Sequence, residues 1–181
     1  MGSVHDYNRR AWDQRAKDQA RFTKPASDED LVDPLRKLDG SGWLGDVRGK
    51  RLLCLAAGGG RQSIMYAAAG AVVTVVDISQ EMLAIDRHVA AQRGLDINVV
   101  AASMDDLSIL DTGAFELVIH PVSTCYLPNI AQVYREVARV TAAGGLYVSQ
   151  HKQPLSLQAA TAVAPTGHYD LLEPYYRKGP L

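Results

Sequence analysis

Residues 51–60 read RLLCLAAGGG, and this stretch decides the fold. Residues 51–57 form a short apolar run, which is typical of a strand buried on both faces of a sheet. Three consecutive glycines, Gly58, Gly59 and Gly60, follow it directly. Glycines allow backbone amides to approach a ligand closely before a helix begins. The stretch therefore predicts a strand, a glycine turn and a helix, in that order.

The alternation of strands and helices continues downstream of the glycine turn. The sequence predicts helices over residues 61–69, 79–93 and 128–140, and further strands over residues 71–76, 96–101, 115–119 and 146–149. Ser79 is a suitable N-cap, while Gly70, Gly94 and the pair Gly144-Gly145 stand where the helices should end. This alternation predicts an α/β domain whose mostly parallel sheet carries helices on both faces.

Composition limits the classes of protein that remain. The 181 residues are 47% hydrophobic, enough for one domain with its own core, and the net charge of −1 argues against a nucleic-acid-binding protein. Two cysteines, Cys54 and Cys125, argue against a disulfide framework, and no residue cluster has metal-ligand spacing. Residues 1–6 lack the apolar segment of a signal peptide, and the longest nearly apolar run, residues 67–76, is too short for a bilayer. We therefore expect a cytoplasmic protein that does not contact membranes.

The segments on either side of the core have a different character. Residues 1–50 contain a polar helix over residues 4–22 and then a linker punctuated by Pro and Gly, with one short helix near residues 31–38. Residues 51–150 form the α/β core. Residues 151–181 break the strand–helix alternation and contain four prolines, so they predict an irregular C-terminal extension.

Three features fall where an open α/β sheet places its ligand, beyond the carboxyl ends of the strands. They are the glycine turn, Asp77 at the end of the second strand, and the polar segment 103–106 after the third. A carboxylate in the position of Asp77 can accept hydrogen bonds from both hydroxyls of a ribose. The polar segment can contact the edge of an adenine ring. Together these features predict a ligand that contains adenosine, and they do not separate a dinucleotide from S-adenosylmethionine.

Four longer segments carry a resemblance to a known family. Residues 52–62 (LLCLAAGGGRQ) and 73–83 (VTVVDISQEML) look like the first two motifs of class I S-adenosylmethionine-dependent methyltransferases. Residues 115–123 (FELVIHPVS) resemble their fourth-strand motif, and residues 135–146 (REVARVTAAGGL) the segment leading into their fifth strand. Residues 7–13 are similar to the cap helix of one bacterial branch. The resemblance covers residues 5–153 and implies a Rossmann-like fold with S-adenosyl-L-methionine as cofactor.

The resemblance also implies roles for individual residues. Asp77 would bind the ribose, Ile78 would pack on the adenine ring, and Ser103 and Met104 would bind its edge. The N-terminal cap helix would close over the amino-acid end of the cofactor. The complete set of expected cofactor-binding residues is Tyr7, Trp12, Ala56, Ala57, Gly58, Gln62, Asp77, Ile78, Met82, Ser103, Met104, His120 and Pro121.

The sequence departs from the pattern of that family at three positions. Cys54 and Ala56 stand where the first motif usually has an acid and a glycine. The carboxylate that often helps to orient the methionine part of the cofactor is therefore missing at position 54. Ser103 replaces the acid after the third strand, so its contact with adenine would be neutral and weaker.

Two histidines are candidates for a catalytic base. His120 ends the fourth strand, and an imidazole can titrate near neutral pH, so it is the first candidate. The alternative for His120 is that its backbone contacts the cofactor while its ring is structural. His151, after the fifth strand, is the second candidate. Cys125 and Tyr126 fit either an acceptor pocket or the core.

The resulting functional prediction is in-line transfer of a methyl group to a small-molecule acceptor, since no charge excess points to a macromolecular substrate. One alternative is a non-catalytic cofactor-binding or interaction module. Another alternative is a nicotinamide-dependent oxidoreductase. The sequence argues against it, because Ser63 stands where the dinucleotide fingerprint has its third glycine.

The number of strands raises a separate expectation. The resemblance implies seven strands in the order 3-2-1-4-5-7-6, whereas the sequence predicts five. We therefore expect the chain to be a truncated form without the last two strands, or to have the edge of its fifth strand covered. A tail or the partner copy of a homodimer would protect that apolar edge from aggregation.

Overall fold

The computed structural model describes residues 3–160 and 162–173. Its helices are α1 (Val4–Lys17), α2 (Pro34–Leu38), α3 (Gln62–Ala68), α4 (Gln80–Arg93), α5 (Ile130–Val140) and α6 (Pro154–Gln158). Its strands are β1 (Arg51–Leu55), β2 (Val72–Asp77), β3 (Ile97–Ala101), β4 (Phe115–His120) and β5 (Thr141–Ser149). Residue 161 and residues 174–181 of the predicted extension lie outside the described residues.

The five strands form one parallel sheet in the order β3-β2-β1-β4-β5. The predicted Rossmann-like α/β fold is therefore confirmed. Over the described residues the sheet contains no sixth or seventh strand. The extension instead makes an isolated antiparallel bridge between Ala159 and Leu171, a pairing that its sequence did not predict. β5 is consequently one edge of the sheet, and a homodimer that pairs along it stays a prediction.

The central strand β1 shows why the sheet is stable. Leu52 and Cys54 pack in one hydrophobic cluster, with α3 and α4 residues, whereas Leu53 and Leu55 pack in another, with α5 residues. None of these four side chains is exposed to solvent. Because burial of a Leu side chain stabilises a fold by about 1.5–3 kcal/mol, the apolar run of β1 requires helices on both faces.

Helix α4 follows β2 with both of the predicted end signals in place. The Ser79 hydroxyl accepts a hydrogen bond from the Met82 amide at 3.1 Å, which caps the first turn. Gly94 ends the helix with a φ of 63°, a left-handed conformation that suits glycine best. The Ser79 cap fixes where α4 begins relative to Asp77, and it places the first turn of α4 at the carboxyl edge of the sheet.

Two predicted boundaries are wrong. α1 ends at Lys17 and not at residue 22, because Gln19 and Phe22 have φ values of 50° and 73° that no helix accommodates. β5 begins at Thr141, immediately after α5, so Gly144-Gly145 lie inside the strand and do not end the helix. The strand register shifts there, and a Cβ at Gly145 would meet Thr141 Cγ2 at 2.8 Å.

Helix α1 lies across the carboxyl ends of the strands, in the position expected of a cap helix. Its Asp13 carboxylate accepts a hydrogen bond from the Ser79 hydroxyl at 2.6 Å, which ties it to the start of α4. His5 contacts the Asp105 carboxylate, beyond β3, at 2.9 Å. In the part of the chain that the structure describes, no helix has the length and apolar character needed to cross a membrane.

Candidate active site

A cleft of about 1920 Å³ opens between α1 and the carboxyl ends of the strands. Pockets for one small molecule are typically roughly 300–1,000 Å³, so this cleft has room for a cofactor and an acceptor together. The expected residues that line it are Tyr7, Trp12, Ala56, Ala57, Gly58, Gln62, Asp77, Ile78, Met82, Ser103, Met104 and Pro121. His120 is the one member of the expected set that is missing from the lining.

The glycine turn directs its amides at two carboxylates. The Gly58 amide donates to Asp77 Oδ2 at 2.9 Å. The Gly59 amide donates to Asp86 Oδ2 at 2.7 Å, and the Gly60 amide to Asp86 Oδ1 at 3.1 Å. The turn therefore uses all three glycine N–H groups to bind the protein's own side chains.

This arrangement separates the two adenosine-containing ligands that the sequence left open. A dinucleotide places its pyrophosphate against free amides of such a turn. Here the amides of Gly58, Gly59 and Gly60 are already bonded, and an incoming phosphate would approach two carboxylates. The geometry favours a ligand whose ribose, and not its phosphate, meets the turn.

Asp77 has the acceptor capacity that a ribose requires. Its Oδ1 accepts the Ser79 amide at 2.9 Å and its Oδ2 accepts the Gly58 amide. A carboxylate offers about four lone-pair sites, so two remain for the hydroxyls of a ribose. Burial raises the pKa of Asp77, and backbone hydrogen bonds, first those from Ser79 and Gly58, oppose this rise. The side chain is held rigidly at the cleft with unused acceptor sites.

A second polar group in the cleft also has an unused hydrogen-bond acceptor. The Gln62 Oε1 atom, in the first turn of α3, is buried and has no hydrogen-bond partner among the described residues. A buried acceptor left unpaired costs about 1–3 kcal/mol, so its position suits a ligand donor. The ammonium group at the amino-acid end of S-adenosylmethionine is a donor of that kind. The residues present therefore fit this cofactor at two separate points.

The comparisons with known proteins agree with this geometry. Residues 53–149, more than half of the chain, match the family described as the methyltransferase domain. The chain belongs to the class I S-adenosylmethionine-dependent methyltransferase superfamily. It is 32% identical over 166 residues to the uncharacterized methyltransferase YbaJ of Bacillus subtilis, which covers 86% of this chain and 65% of that protein. This chain thus spans just under two thirds of the length of that relative.

Solved structures show the same methyltransferase fold. An S-adenosylmethionine-dependent methyltransferase from Mesorhizobium loti superposes with a TM-score of 0.61 at 24% identity, covering 77% of this chain and 64% of that one. The PH0226 protein of Pyrococcus horikoshii gives a TM-score of 0.62 at 25% identity, covering 73% and 62%. Membership of the methyltransferase superfamily decides against the nicotinamide-dependent oxidoreductase.

His120 does not sit in the cleft as a free base. Its side chain is fully buried, and the ring contacts Tyr147 Oη at 2.9 Å through Nδ1 and Ser123 Oγ at 2.6 Å through Nε2. The Ser123 hydroxyl donates to the Pro121 carbonyl, so it accepts from His120 Nε2–H while Nδ1 accepts from Tyr147. Burial lowers the pKa of His120 to about 4. The geometry supports the structural alternative for this ring.

The buried ring predicts a specific dependence of stability on pH. The pKa of His120 falls from 6.5 to about 4 on folding, so its contribution is complete above pH 6.5 and disappears as the pH drops towards 4. That shift corresponds to about 3 kcal/mol in the free energy of unfolding. Urea denaturation at pH 7 and pH 4.5 should show this loss in the wild type and a smaller one in His120→Gln. An identical loss in both proteins would return His120 to the list of candidate bases.

The three other residues that the sequence singled out take different positions relative to the cleft. His151 is exposed and lies between the hydroxyls of Thr124, at 3.1 Å, and Ser149, at 2.7 Å, outside the residues that line the cleft. Tyr126 lines the cleft and packs edge-on against Trp12 of α1, whereas Cys125 is exposed. No group of three or more His, Cys, Asp or Glu side chains among the described residues can hold a metal ion.

Sequence reasoning missed Asp86, although the sequence contained a signal for it. Asp86 follows Met82 and Leu83 by four and three residues and precedes Val89 and Ala90 by three and four. Residues so spaced share one face of a helix, and here that face is buried. An acid on the apolar face of α4 therefore indicates an internal partner, which the structure identifies as the glycine turn.

Proposed function

We propose that this chain binds S-adenosyl-L-methionine in the cleft and forms the cofactor-binding part of an enzyme that methylates a small-molecule acceptor. The observation that carries the proposal is Asp77, whose carboxylate shapes the glycine turn and keeps two acceptor sites at the cleft. A ribose 2′,3′-diol is the ligand group that matches two adjacent free acceptors.

The remaining lining residues suit the other parts of the cofactor. Ile78 and Met104 offer apolar surface to an adenine ring. The Ser103 hydroxyl donates to Asp105 at 2.5 Å, so its oxygen remains an acceptor for the adenine amino group. At the far side of the turn, Gln62 is the acceptor for the amino-acid end, beside Tyr7 and Trp12 of α1.

The chemistry then requires alignment more than proton transfer. When bound, S-adenosylmethionine supplies a methyl group that its sulfonium has already activated. The protein must hold the acceptor in line with that methyl group and keep water out, and such alignment can lower a barrier by about 7–11 kcal/mol. An acceptor that must lose a proton needs a base other than the His120 ring, and His151 at the rim stays the candidate.

The charges around the cleft favour an acceptor with a negative group. Arg15, Arg21, Lys24 and Lys152 line it, and among the described residues none of them forms a salt bridge. Asp77 is the acidic residue in the same lining. Positive charges therefore outnumber the negative one in the lining, and such a cleft concentrates anionic ligands. We therefore expect a carboxylate or phosphate on the acceptor, at a distance from the methylated atom.

Calorimetric titration and thermal denaturation test the first half of the proposal, which is cofactor binding. S-adenosylhomocysteine should bind with a single site per chain and raise the melting temperature, whereas NAD should do neither. Incubation with S-adenosylmethionine labelled in its methyl group, with matched anionic and neutral acceptors, tests the second half. Binding without methyl transfer to any acceptor would favour the non-catalytic module, and binding of NAD alone would overturn the proposal.

A further inference from the structure

Asp86 is a buried acid that the proposed chemistry does not use. It lies in the middle of α4 and has no solvent-exposed surface. Its carboxylate accepts the amides of Gly59 and Gly60, at 2.7 and 3.1 Å, and a short hydrogen bond from the Ser63 hydroxyl. A buried carboxylate is costly unless it is well bonded, and these three donors supply that bonding.

The three donors all belong to the cofactor-binding turn and the helix that it opens. Gly59 and Gly60 have φ values of 106° and 71°, so their peptide planes are rotated into a conformation that points both N–H groups at α4. Ser63 lies in the first turn of α3. A single side chain thus fixes the turn and the start of the helix behind it.

We propose that Asp86 is a positioning residue, which sets the affinity for the cofactor by holding the Gly58–Gly60 turn in its binding conformation. The turn places the Gly58 amide on Asp77, so release of Gly59 and Gly60 also frees the group that orients the ribose-binding carboxylate. Gln62, two residues after the turn, would move with it. The link to cofactor affinity rests on the proposed function, whereas the hold on the turn does not.

The proton on Asp86 then controls the turn. Burial raises the pKa of Asp86 to about 6, and the charge of Asp77 adds to this effect. The groups that face Asp86 are Asp77 from β2, Cys54 from β1, whose own pKa burial raises, and the neutral donors of the turn and α3. A proton on Oδ2 weakens the shorter hydrogen bond of the Gly59 amide and leaves it the Met82 carbonyl, at 3.2 Å, as its other acceptor. Above pH 6 the turn is held, and below it the affinity falls.

Nuclear magnetic resonance on the ligand-free chain tests the hold on the turn. The amide resonances of Gly59 and Gly60 should titrate together with a midpoint near the pKa of Asp86. Asp86→Asn should abolish this titration, and Asp96→Asn, at an exposed acid beyond α4, should leave it unchanged. Ser63→Ala, which removes one donor from the carboxylate, should move the midpoint to higher pH. Amide resonances that do not titrate between pH 5 and 8 in the wild type would overturn the proposal.

Calorimetry with S-adenosylhomocysteine tests the consequence for binding. Asp86→Asn should lower the affinity at least tenfold at pH 8, and the wild type should lose affinity between pH 7 and pH 5 more steeply than the variant. Titration of the ligand occurs in both proteins and cancels in the comparison, whereas Asp77 titrates at lower pH in the variant because the charge of Asp86 is gone. Equal affinities in folded wild type and variant contradict the proposal. If the wild type binds no S-adenosylhomocysteine, the proposed function fails, and the amide titration still decides the role of Asp86.

Discussion

Replacement of Asp77 with alanine is expected to lower the affinity for S-adenosylhomocysteine about ten- to a hundredfold. A hydrogen bond to a charged acceptor contributes about 1.5–3 kcal/mol, and each 1.4 kcal/mol is about a factor of ten in affinity. The structure adds a second reason for the loss. The amides of Gly58 and Ser79 lose their acceptor in this variant, so the turn after Ala56 and Ala57 keeps only its hydrogen bonds to Asp86.

Two matched variants make the Asp77 experiment specific. Asp77→Asn keeps the volume of the side chain but presents an NH₂ group to one of the two amides, so it should also bind weakly. Asp96→Ala removes an exposed acid and should bind like the wild type. Denaturation curves on each protein separate lost binding from lost folding. An affinity for Asp77→Ala equal to that of the wild type would mean that the ribose is held elsewhere.

Gly58→Ala is expected to disrupt the same site by steric overlap alone. A Cβ at this position would lie 2.9 Å from Met82 Cβ and 3.1 Å from both Cβ and Cγ of Asp77. Such overpacking typically costs about 1–3 kcal/mol in the free energy of unfolding. Because Asp77, the proposed ribose-binding residue, is one of the two side chains that must shift, the affinity for S-adenosylhomocysteine should also fall tenfold or more.

Gly40→Ala is the control for this substitution. A Cβ there would meet only the Arg36 carbonyl, at an ordinary contact distance of 3.5 Å, and Gly40 is not among the residues that line the cleft. Chemical denaturation and calorimetry should give wild-type values for Gly40→Ala and reduced values for Gly58→Ala. Wild-type stability and affinity in Gly58→Ala would show that the turn has free space. That result would contradict the close packing of Gly58 against Asp77.

The sequence predicted well wherever a local signal fixes the structure. The apolar run of β1, the Ser79 cap and the stop at Gly94 place β1 and both ends of α4 correctly, because each depends on neighbours in the chain. β5 was mispredicted at its start, because Thr141 and the glycines after it are placed by pairing with β4. That pairing is a contact between segments more than 20 residues apart in sequence, which local propensity does not record.

The same difference between local and long-range signals applies to the candidate site. The sequence located Asp77, Gly58 and Ile78 at the cleft because residues that end parallel strands must meet at one edge of a sheet. It could not tell that the His120 ring turns inward to Tyr147, nor that the glycine amides turn towards Asp86. Each of those directions depends on a partner contributed by a different element.

The sequence by itself determined the buried strand β1, the turn after it and the acid after β2, because hydrophobic runs and glycines act within a few residues. Only the tertiary structure decided which polar groups remain available to a ligand. Asp77 keeps free acceptor sites and Gln62 an unpaired oxygen, whereas His120 and the glycine amides are already bonded. A hydrogen bond depends on distance and direction, and these are set when distant segments pack together.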